Sequence, residues 1–270
     1  MAMTLKILEK CRWIGLIALF SSAVFGAPLQ LVFHDFAPFS YQDSQGTNQG
    51  ILIDLANRVC QDWPDSCDVQ LRPFRRARQM FAHGEAQGIF FGWNGERAKT
   101  MWFSLPLVET EYGFYSQQQD KFTDLTQLSG VTVGVYGQSN TFESLMKLQN
   151  QLLQDKLAPI DIVIYPQANQ LPLRMLQKQR ATAYYVNKDV GAFYAKQIGL
   201  SSLNYLSADR HILYCVAFNM QYTSEATVRK FNHLLSNLLT QHKLDDIYAK
   251  WQMAPATLAT QYYPEMSMPF

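Results

Sequence analysis

The sequence predicts an α/β protein made of two open lobes that are joined by two hinge crossovers. Two observations predict this fold class. Strand and helix signals alternate in two separate units, which favours parallel sheets, and extended segments near 109–115 and 209–218 connect the units. The chain thus leaves its first lobe, builds a second and returns. We expect lobe 1 to span 27–112 and 214–270, and lobe 2 to span 113–213.

A leader precedes the first strand. Lys6, Lys10 and Arg12 stand before the apolar run 13–20, which is too short to cross a bilayer, and small residues follow. This pattern is typical of a cleaved signal peptide, which we place at residues 1–26. We therefore expect a soluble periplasmic protein. Removing the leader takes two net charges from a formal net charge of +1, and the near-neutral remainder indicates no nucleic-acid partner.

The first α/β unit begins after the leader. Apolar residues alternate from Leu29 to Phe33, which predicts a strand that ends at the Pro38 turn. The next elements are a helix over 51–60, a strand around 69–71, a helix over 76–83 and a buried strand over 88–91.

The second unit shows the same alternation. Its elements are a strand over 131–135, a helix over 141–154, a strand over 160–165, a helix over 171–179, a strand over 181–186 and a helix over 190–198. Two further helices follow the return crossover, around 228–238 and 244–251. Because ligands bind beyond the carboxyl ends of strands in open α/β sheets, two facing lobes would share one cleft.

Six short motifs follow one another along both units. They are Ala37-Pro38-Phe39-Ser40, Gly50–Leu55, Gly95-Glu96-Arg97, Phe103–Pro106, Val133-Gly134-Val135 and Lys243–Trp251. In their order and spacing they resemble the family 3 periplasmic solute-binding proteins, which deliver amino acids and similar polar solutes to ABC importers. The resemblance covers essentially the whole mature chain and implies the bilobal periplasmic-binding-protein fold. It also implies a monomer without a cofactor, which serves an inner-membrane ABC permease or a membrane sensor.

The resemblance implies that Arg97 holds the carboxylate of the solute. A guanidinium offers a planar fork to a carboxylate and stays charged at any working pH, although an arginine paired with a surface acid is the alternative. Asn94 lies in the same motif. Phe36 and Tyr41 follow the first strand, and Trp93 stands beside the arginine. These aromatic residues either line the cleft against a flat or apolar part of the solute or belong to the core.

Polar residues open the first helix of lobe 2. Ser139, Asn140 and Thr141 precede its apolar stripe, and Asn140 with Glu143 fits a capping pair. Free backbone N–H groups at such a helix start can meet an anion. Helix capping alone would also explain these residues.

Several residues depart from the pattern of amino-acid receptors. Asn187 stands where the resemblance implies an aspartate that holds the α-ammonium group, and a neutral amide pairs less strongly with a cation. Phe90 and Gly92 replace serines. The predicted pocket is therefore more apolar and less selective for zwitterions. Arg76 indicates a second anionic group on the solute if it faces the cleft, and nothing if it faces solvent.

Three cysteines follow the leader. Cys60 and Cys67 are close in sequence, at the end of a predicted helix and the start of a predicted strand, and an oxidising compartment makes them a natural disulfide. The resemblance also implies this pair. Cys215 lies in an apolar run and is interpreted as a buried free thiol.

Catalytic interpretations have little support in the sequence. The five histidines lack metal-ligand spacing, and nucleotide-binding glycine motifs are absent. We therefore expect a binding protein rather than an enzyme. Two alternatives stay open. A periplasmic dehydratase similar to cyclohexadienyl dehydratases would need a general acid, for which Glu109 and Glu111 are candidates. An accessory sensor would report ligand occupancy to a membrane signalling protein.

Overall fold

The structure of the protein is a computed structural model that describes residues 28–137, 139–166 and 170–270. The predicted signal peptide, residues 1–26, lies outside the described residues. Within the described part of the chain, no helix is both long and apolar enough to cross a membrane.

The first unit has the predicted βαβαβ order. Its elements are β1 (Leu29–His34), β2 (Tyr41–Gln42), β3 (Asn48–Gln49), α1 (Ile51–Gln61), β4 (Cys67–Arg72), α2 (Phe74–Ala82), β5 (Gly88–Gly92), α3 (Gly95–Ala98) and β6 (Met101–Phe103). Strand β1 pairs in parallel with both β4 and β5. The β2–β3 hairpin, α3 and β6 were not predicted, because two to four residues carry too little periodicity to indicate an element.

The second unit and the return to lobe 1 follow. Their elements are β7 (Val108–Gln117), β8 (Thr132–Tyr136), α4 (Asn140–Gln154), β9 (Asp161–Tyr165), α5 (Gln170–Gln177), β10 (Ala183–Asn187), α6 (Lys188–Gln197), β11 (Leu203–Asn219), α7 (Glu225–Thr240) and α8 (Asp245–Trp251). Strand β8 pairs in parallel with β9 and β10. The sequence predicted these elements to within about three residues at each end, except that β11 begins six residues before the predicted segment 209–218.

Nine of the described strands form one continuous sheet with the order β4-β1-β5-β11-β7-β10-β8-β9, in which β6 pairs with β11, and β2 and β3 form a separate two-stranded sheet. The long strand β11 joins the two lobes: its second half is antiparallel to β5, and its first half is antiparallel to β7. The two extended segments of the sequence are therefore one antiparallel pair. Its register shifts between Ser207 and Asp209 and again between Asp209 and Ile212. Such irregularities bend a strand, so this pair is the hinge.

Apolar side chains pack on both faces of the sheet. In lobe 1, Phe33 and Leu55 belong to a core that includes α7, whereas Val32 and Phe81 belong to a core beneath α2. A third core in lobe 2 lies beneath α4 and includes Tyr185. These cores fix the orientation of each strand, and so they fix which side chains stand at the strand ends.

The segment after α8 packs against lobe 1. Met268 is buried, the backbone N–H of Phe103 donates to the carbonyl oxygen of Ser267 at 2.6 Å, and Asn232 Nδ2 donates to the carbonyl oxygen of Pro269 at 2.5 Å. This segment therefore extends the core beneath α2.

The structure joins Cys60 and Cys67 in a disulfide with a Cα–Cα distance of 5.2 Å. The bond connects the end of α1 to the start of β4. Cys215 is free and fully buried in β11, and burial raises the pKa of its thiol. The interpretation of Cys215 as a buried free thiol is confirmed.

Candidate ligand-binding cleft

The cleft lies where β1 and β5 end on one side and α4 and α6 begin on the other. Contacts between described side chains cross it. Asn94 Nδ2 donates to Asn140 Oδ1 at 3.4 Å, and the ring centroids of Tyr41 and Phe193 are 5.2 Å apart. A Cβ on Gly92 would lie 3.2 Å from Asn140 Nδ2, so the absence of a side chain there allows the two lobes to approach. Three of the predicted site residues therefore face the opposite lobe.

Arg97 is a half-buried cation on the lobe 1 side. The short helix α3 positions it, because Asn94 Oδ1 accepts the backbone N–H of Arg97 at 2.8 Å. Its Nη1 donates to the carbonyl oxygen of Gly92 at 2.7 Å, and its Cζ lies 4.5 Å from the centroid of the Phe91 ring. Burial lowers the pKa of Arg97, and the distant carboxylate of Glu143 partly opposes this.

The guanidinium of Arg97 forms no ion pair with any carboxylate among the described residues. A guanidinium has five N–H donors, and one described donor bond from its side chain goes to Gly92. Arg97 therefore keeps the capacity to bind an anion.

Aromatic side chains surround the end of β1. The His34 ring stacks on Phe90 at 5.1 Å and meets the edge of Phe74 at 4.8 Å. Phe36 lies 6.1 Å from both Phe90 and Tyr214. Burial lowers the pKa of His34 to about 4, the backbone of Asp35 partly opposes this, and the charge of Arg97 lowers the pKa further. His34 is therefore a neutral aromatic side chain near pH 7.

Asn187 is fully buried at the start of α6. Its Oδ1 accepts the backbone N–H groups of Asp189 and Val190 at 2.9 and 3.2 Å. Its Nδ2 donates to Thr110 Oγ1 and to the Tyr214 hydroxyl, each at 3.1 Å. All hydrogen-bonding positions of the amide are in use. Contact between Asn187 and a solute stays a prediction, and in this conformation the residue caps a helix.

Ser139, rather than Asn140, caps α4. Ser139 Oγ accepts the backbone N–H of Phe142 at 3.3 Å and donates to the carbonyl oxygen of Tyr136 at 3.0 Å. The predicted capping pair of Asn140 and Glu143 is therefore wrong, because the helix begins at Asn140 itself. This frees the Asn140 amide to reach across the cleft. Thr141 is buried.

Trp93 and Arg76 have other partners. Trp93 Nε1 donates to the carbonyl oxygen of Met266 at 3.0 Å, so the indole packs towards the segment after α8. Arg76 forms an ion pair with Glu85 at 2.6 Å, and both side chains are about half exposed. Arg76 thus lies on the solvent side of α2.

Sequence reasoning missed Arg78 and Tyr214. Arg78 lies 5.7 Å from the Phe74 ring, and its charge lowers the pKa of Arg97. Helical periodicity could have indicated the contact between Arg78 and Phe74, since residues four apart share a helix face. Arg76 and Arg78 are two apart and do not share one. Tyr214 lies within an apolar run, and the sequence does not show which side chains of that run point towards the cleft. In the structure it hydrogen-bonds with Tyr112, which in turn hydrogen-bonds with Thr141.

A separate cavity of about 350 Å³ lies at the hinge. Its charged lining comprises Glu109, Glu111, Lys188, Asp189, Arg210 and His211. Glu111 accepts from the Ser207 hydroxyl at 2.5 Å and pairs with Lys188 at 3.0 Å. Burial raises the pKa of Glu111, but Ser207, Lys188 and Arg210 outweigh burial and hold it below the usual value. The cavity lining does not include Arg97 or the aromatic residues near it.

The described residues contain no group of three histidine, cysteine, aspartate or glutamate side chains that could hold a metal ion. The cleft side chains named above are a guanidinium, amides, hydroxyls and aromatic rings. Such groups can hold a solute by hydrogen bonds and ring contacts.

A two-lobe α/β fold with a cation and aromatic rings between its lobes defines a solute-binding protein. The chain belongs to the bacterial extracellular solute-binding proteins, family 3, whose family model matches residues 31–254. The predicted fold class is confirmed.

Solved structures share this fold. An ABC uptake transporter substrate binding protein from Streptococcus pneumoniae with bound histidine has a TM-score of 0.72 and 19% identity, over 85% of this chain and 94% of that chain. A histidine kinase sensor domain with similarity to periplasmic binding proteins has a TM-score of 0.70 and 17% identity, over 84% and 98% of the two chains. An ancestral amino acid-binding protein, a precursor of cyclohexadienyl dehydratase, has a TM-score of 0.67 and 18% identity, over 83% and 94%. A comparison with curated protein sequences finds no match.

Proposed function

We propose that the protein is a periplasmic receptor that closes around a small carboxylate-bearing solute and presents the closed form to an inner-membrane ABC permease. The observation that carries this proposal is Arg97, a half-buried cation between two lobes that has no carboxylate partner among the described residues. A buried charge is costly unless it is paired. A solute carboxylate would supply the missing partner through two parallel hydrogen bonds.

The arrangement of the lobes supports closure by hinge bending. Residues 27–112 and 214–270 form one body in this proposal, and 113–213 form the other. The β7–β11 pair is the connection that bends, and its register shifts are the places where its angle can change. A ligand that contacts both bodies stabilises the closed form by its differential affinity; periplasmic binding proteins are themselves the general example of such closure.

The predicted site residues divide into two groups by position. The residues proposed as solute contacts are those near the cleft: Arg97, Asn94, Ser139, Asn140, Thr141, Phe36 and Tyr41. Asn187, Trp93 and Arg76 have partners elsewhere in this conformation. We propose that Asn187 and Trp93 position other groups and that Arg76 is a surface residue outside the site. The receptor is proposed to act as a monomer.

A dehydratase is less well supported by the geometry. Glu109 and Glu111 line the hinge cavity, and Glu109 hydrogen-bonds with His211. A general acid needs a pKa near the operating pH, whereas the environment of Glu111 holds its pKa low. Turnover of prephenate or arogenate that is abolished in Glu111→Gln would favour the enzyme instead.

A thermal-shift screen tests the receptor. The chain from Ala27 onward is heated with amino acids, small dicarboxylates, short peptides and aromatic acids, because a ligand that binds the folded state raises the melting temperature. We expect a shift from at least one carboxylate class in the wild type and in the control Arg76→Ala, and its loss in Arg97→Ala. An equal shift in Arg97→Ala would contradict the proposal that Arg97 binds the solute carboxylate. The likeness to a sensor domain suggests a membrane sensor as an alternative partner. Such a partner would require the same solute-binding step, so this screen tests that step for both partners.

A further inference from the structure

We infer that the solute is an aromatic carboxylate without an α-ammonium group. This inference rests on the proposed receptor function and names the solute class of the same cleft. Three features of the structure carry it: the saturated amide at the start of α6, the unpaired guanidinium of Arg97 near the end of β5, and the aromatic side chains around the end of β1.

An ammonium group only donates hydrogen bonds, so it needs acceptors. Asn187 stands at the position where the resemblance implies an aspartate that accepts from the ammonium group. Its side-chain carbonyl oxygen has two lone pairs. Both already accept N–H groups of α6, from Asp189 and Val190. A solute could use this oxygen only by uncapping the helix, which would leave buried N–H groups without partners. Asn187 is therefore unavailable to an ammonium group.

Carboxylates near the cleft are also committed elsewhere or exposed. Asp189 accepts from the Thr110 hydroxyl at 2.6 Å and lines the hinge cavity. Asp209 accepts from Ser144 at 2.6 Å. Glu143 is exposed in the first turn of α4. Asp35 is exposed, and its charge acts on Tyr194 of α6. Asp189 and Asp209 thus already accept from hydroxyl groups of the protein, and Asp35 and Glu143 are exposed to solvent.

The charge of Arg97 favours an anion over a cation. Its guanidinium has no ion-pair partner among the described residues and donates from its side chain to the carbonyl oxygen of Gly92. An anion that binds Arg97 pairs with its charge, whereas the positive charge of a zwitterion lies in the field of the same guanidinium.

The aromatic side chains supply a surface for a ring. Phe36 and Phe90 flank the neutral His34, and Phe74 is 41% exposed although it is a large apolar side chain. Offset and edge-to-face ring contacts at these distances stabilise aromatic pairs. Gly92 offers Arg97 a carbonyl oxygen and no hydroxyl, so this position adds no side-chain acceptor for an ammonium group.

Isothermal titration calorimetry with two probes tests the inference. 3-Phenylpropanoate and L-phenylalanine share the ring and the carboxylate and differ in the α-ammonium group. We expect 3-phenylpropanoate to bind the wild type and Arg76→Ala at least about tenfold more tightly than phenylalanine, and its binding to be lost in Arg97→Ala. Circular dichroism of each variant shows whether it is folded.

The other outcomes separate the two claims. Phenylalanine that binds as tightly as 3-phenylpropanoate, or more tightly, overturns the inference and leaves the receptor standing. Binding of neither probe, with an Arg97-dependent shift from a non-aromatic compound of the screen, also overturns the inference alone. Binding of no compound at all overturns both the inference and the proposed carboxylate receptor.

Discussion

The amide of Asn187 and the phenol of Tyr214 share a hydrogen bond of 3.1 Å. It joins the start of α6 in lobe 2 to the part of β11 that returns to lobe 1. Both side chains are buried, and Tyr214 also hydrogen-bonds with Tyr112. The bond therefore couples the lobes at the place where amino-acid receptors of this kind are expected to hold an ammonium group.

Tyr214→Phe should reduce the free energy of unfolding by about 1–3 kcal/mol, because it leaves a buried Asn187 N–H without its acceptor. Tyr184→Phe is the matched control, since the Tyr184 hydroxyl is buried without a hydrogen-bond partner. Its removal should be neutral or stabilising. Urea denaturation of both variants measures the difference, and an equal loss in the two would contradict the role given to Tyr214.

Stability should fall as the pH drops from about 6.5 towards 4, in part because of His34. Burial holds the pKa of folded His34 at about 4, against an ordinary value of 6.5. Between these two pH values His34 binds a proton in the unfolded chain but not in the folded chain, so a lower pH favours unfolding. The contribution is at most about 3 kcal/mol. His34→Phe keeps an aromatic ring and cannot titrate, so its stability should fall less over this range; parallel curves for the two proteins would refute the assignment.

Glu111→Gln should lower stability near neutral pH. Although burial raises the pKa of Glu111, Ser207 and Lys188 hold it below the usual value. The stabilisation from this carboxylate is therefore present above its unfolded pKa and lost as the pH falls through its folded pKa. Melting curves of the wild type and variant should converge in acid. A difference that grows as the pH falls would mean that burial dominates instead. Arg97-dependent binding should survive in this variant.

The Cys60–Cys67 bond should stabilise the fold by about 2–3 kcal/mol, since it closes a short loop in the unfolded chain. A reductant should lower the melting temperature of the wild type and of Cys215→Ala. The double variant Cys60→Ala/Cys67→Ala should have a lower melting temperature than the wild type, and the reductant should not change it. If reductant left the wild type unchanged, the disulfide would not contribute to stability.

The sequence predicted most of the fold, because long strands and amphipathic helices carry strong periodic signals. A motif also marked the position of Arg97, whose role in binding stays a prediction. The sequence could not predict the Asn187–Tyr214 bond, which joins residues 27 apart and depends on the register between β7, β10 and β11. Arg76 and Arg78 show the same limit: the sequence places arginines on α2, and packing decides that Arg76 pairs with Glu85 while Arg78 lies over the Phe74 ring.

The central claim is that the lobes close around an anion held by Arg97. Spin labels at Gln79→Cys on α2 and Gln151→Cys on α4, both exposed positions, report the distance between the lobes. Pulsed electron paramagnetic resonance then compares the protein alone with the protein in a pooled mixture of the screening compounds. We predict a shift to shorter distances in the wild type and Arg76→Ala, and no shift in Arg97→Ala. An unchanged distance in the wild type, or an equal shift in Arg97→Ala, would contradict the account.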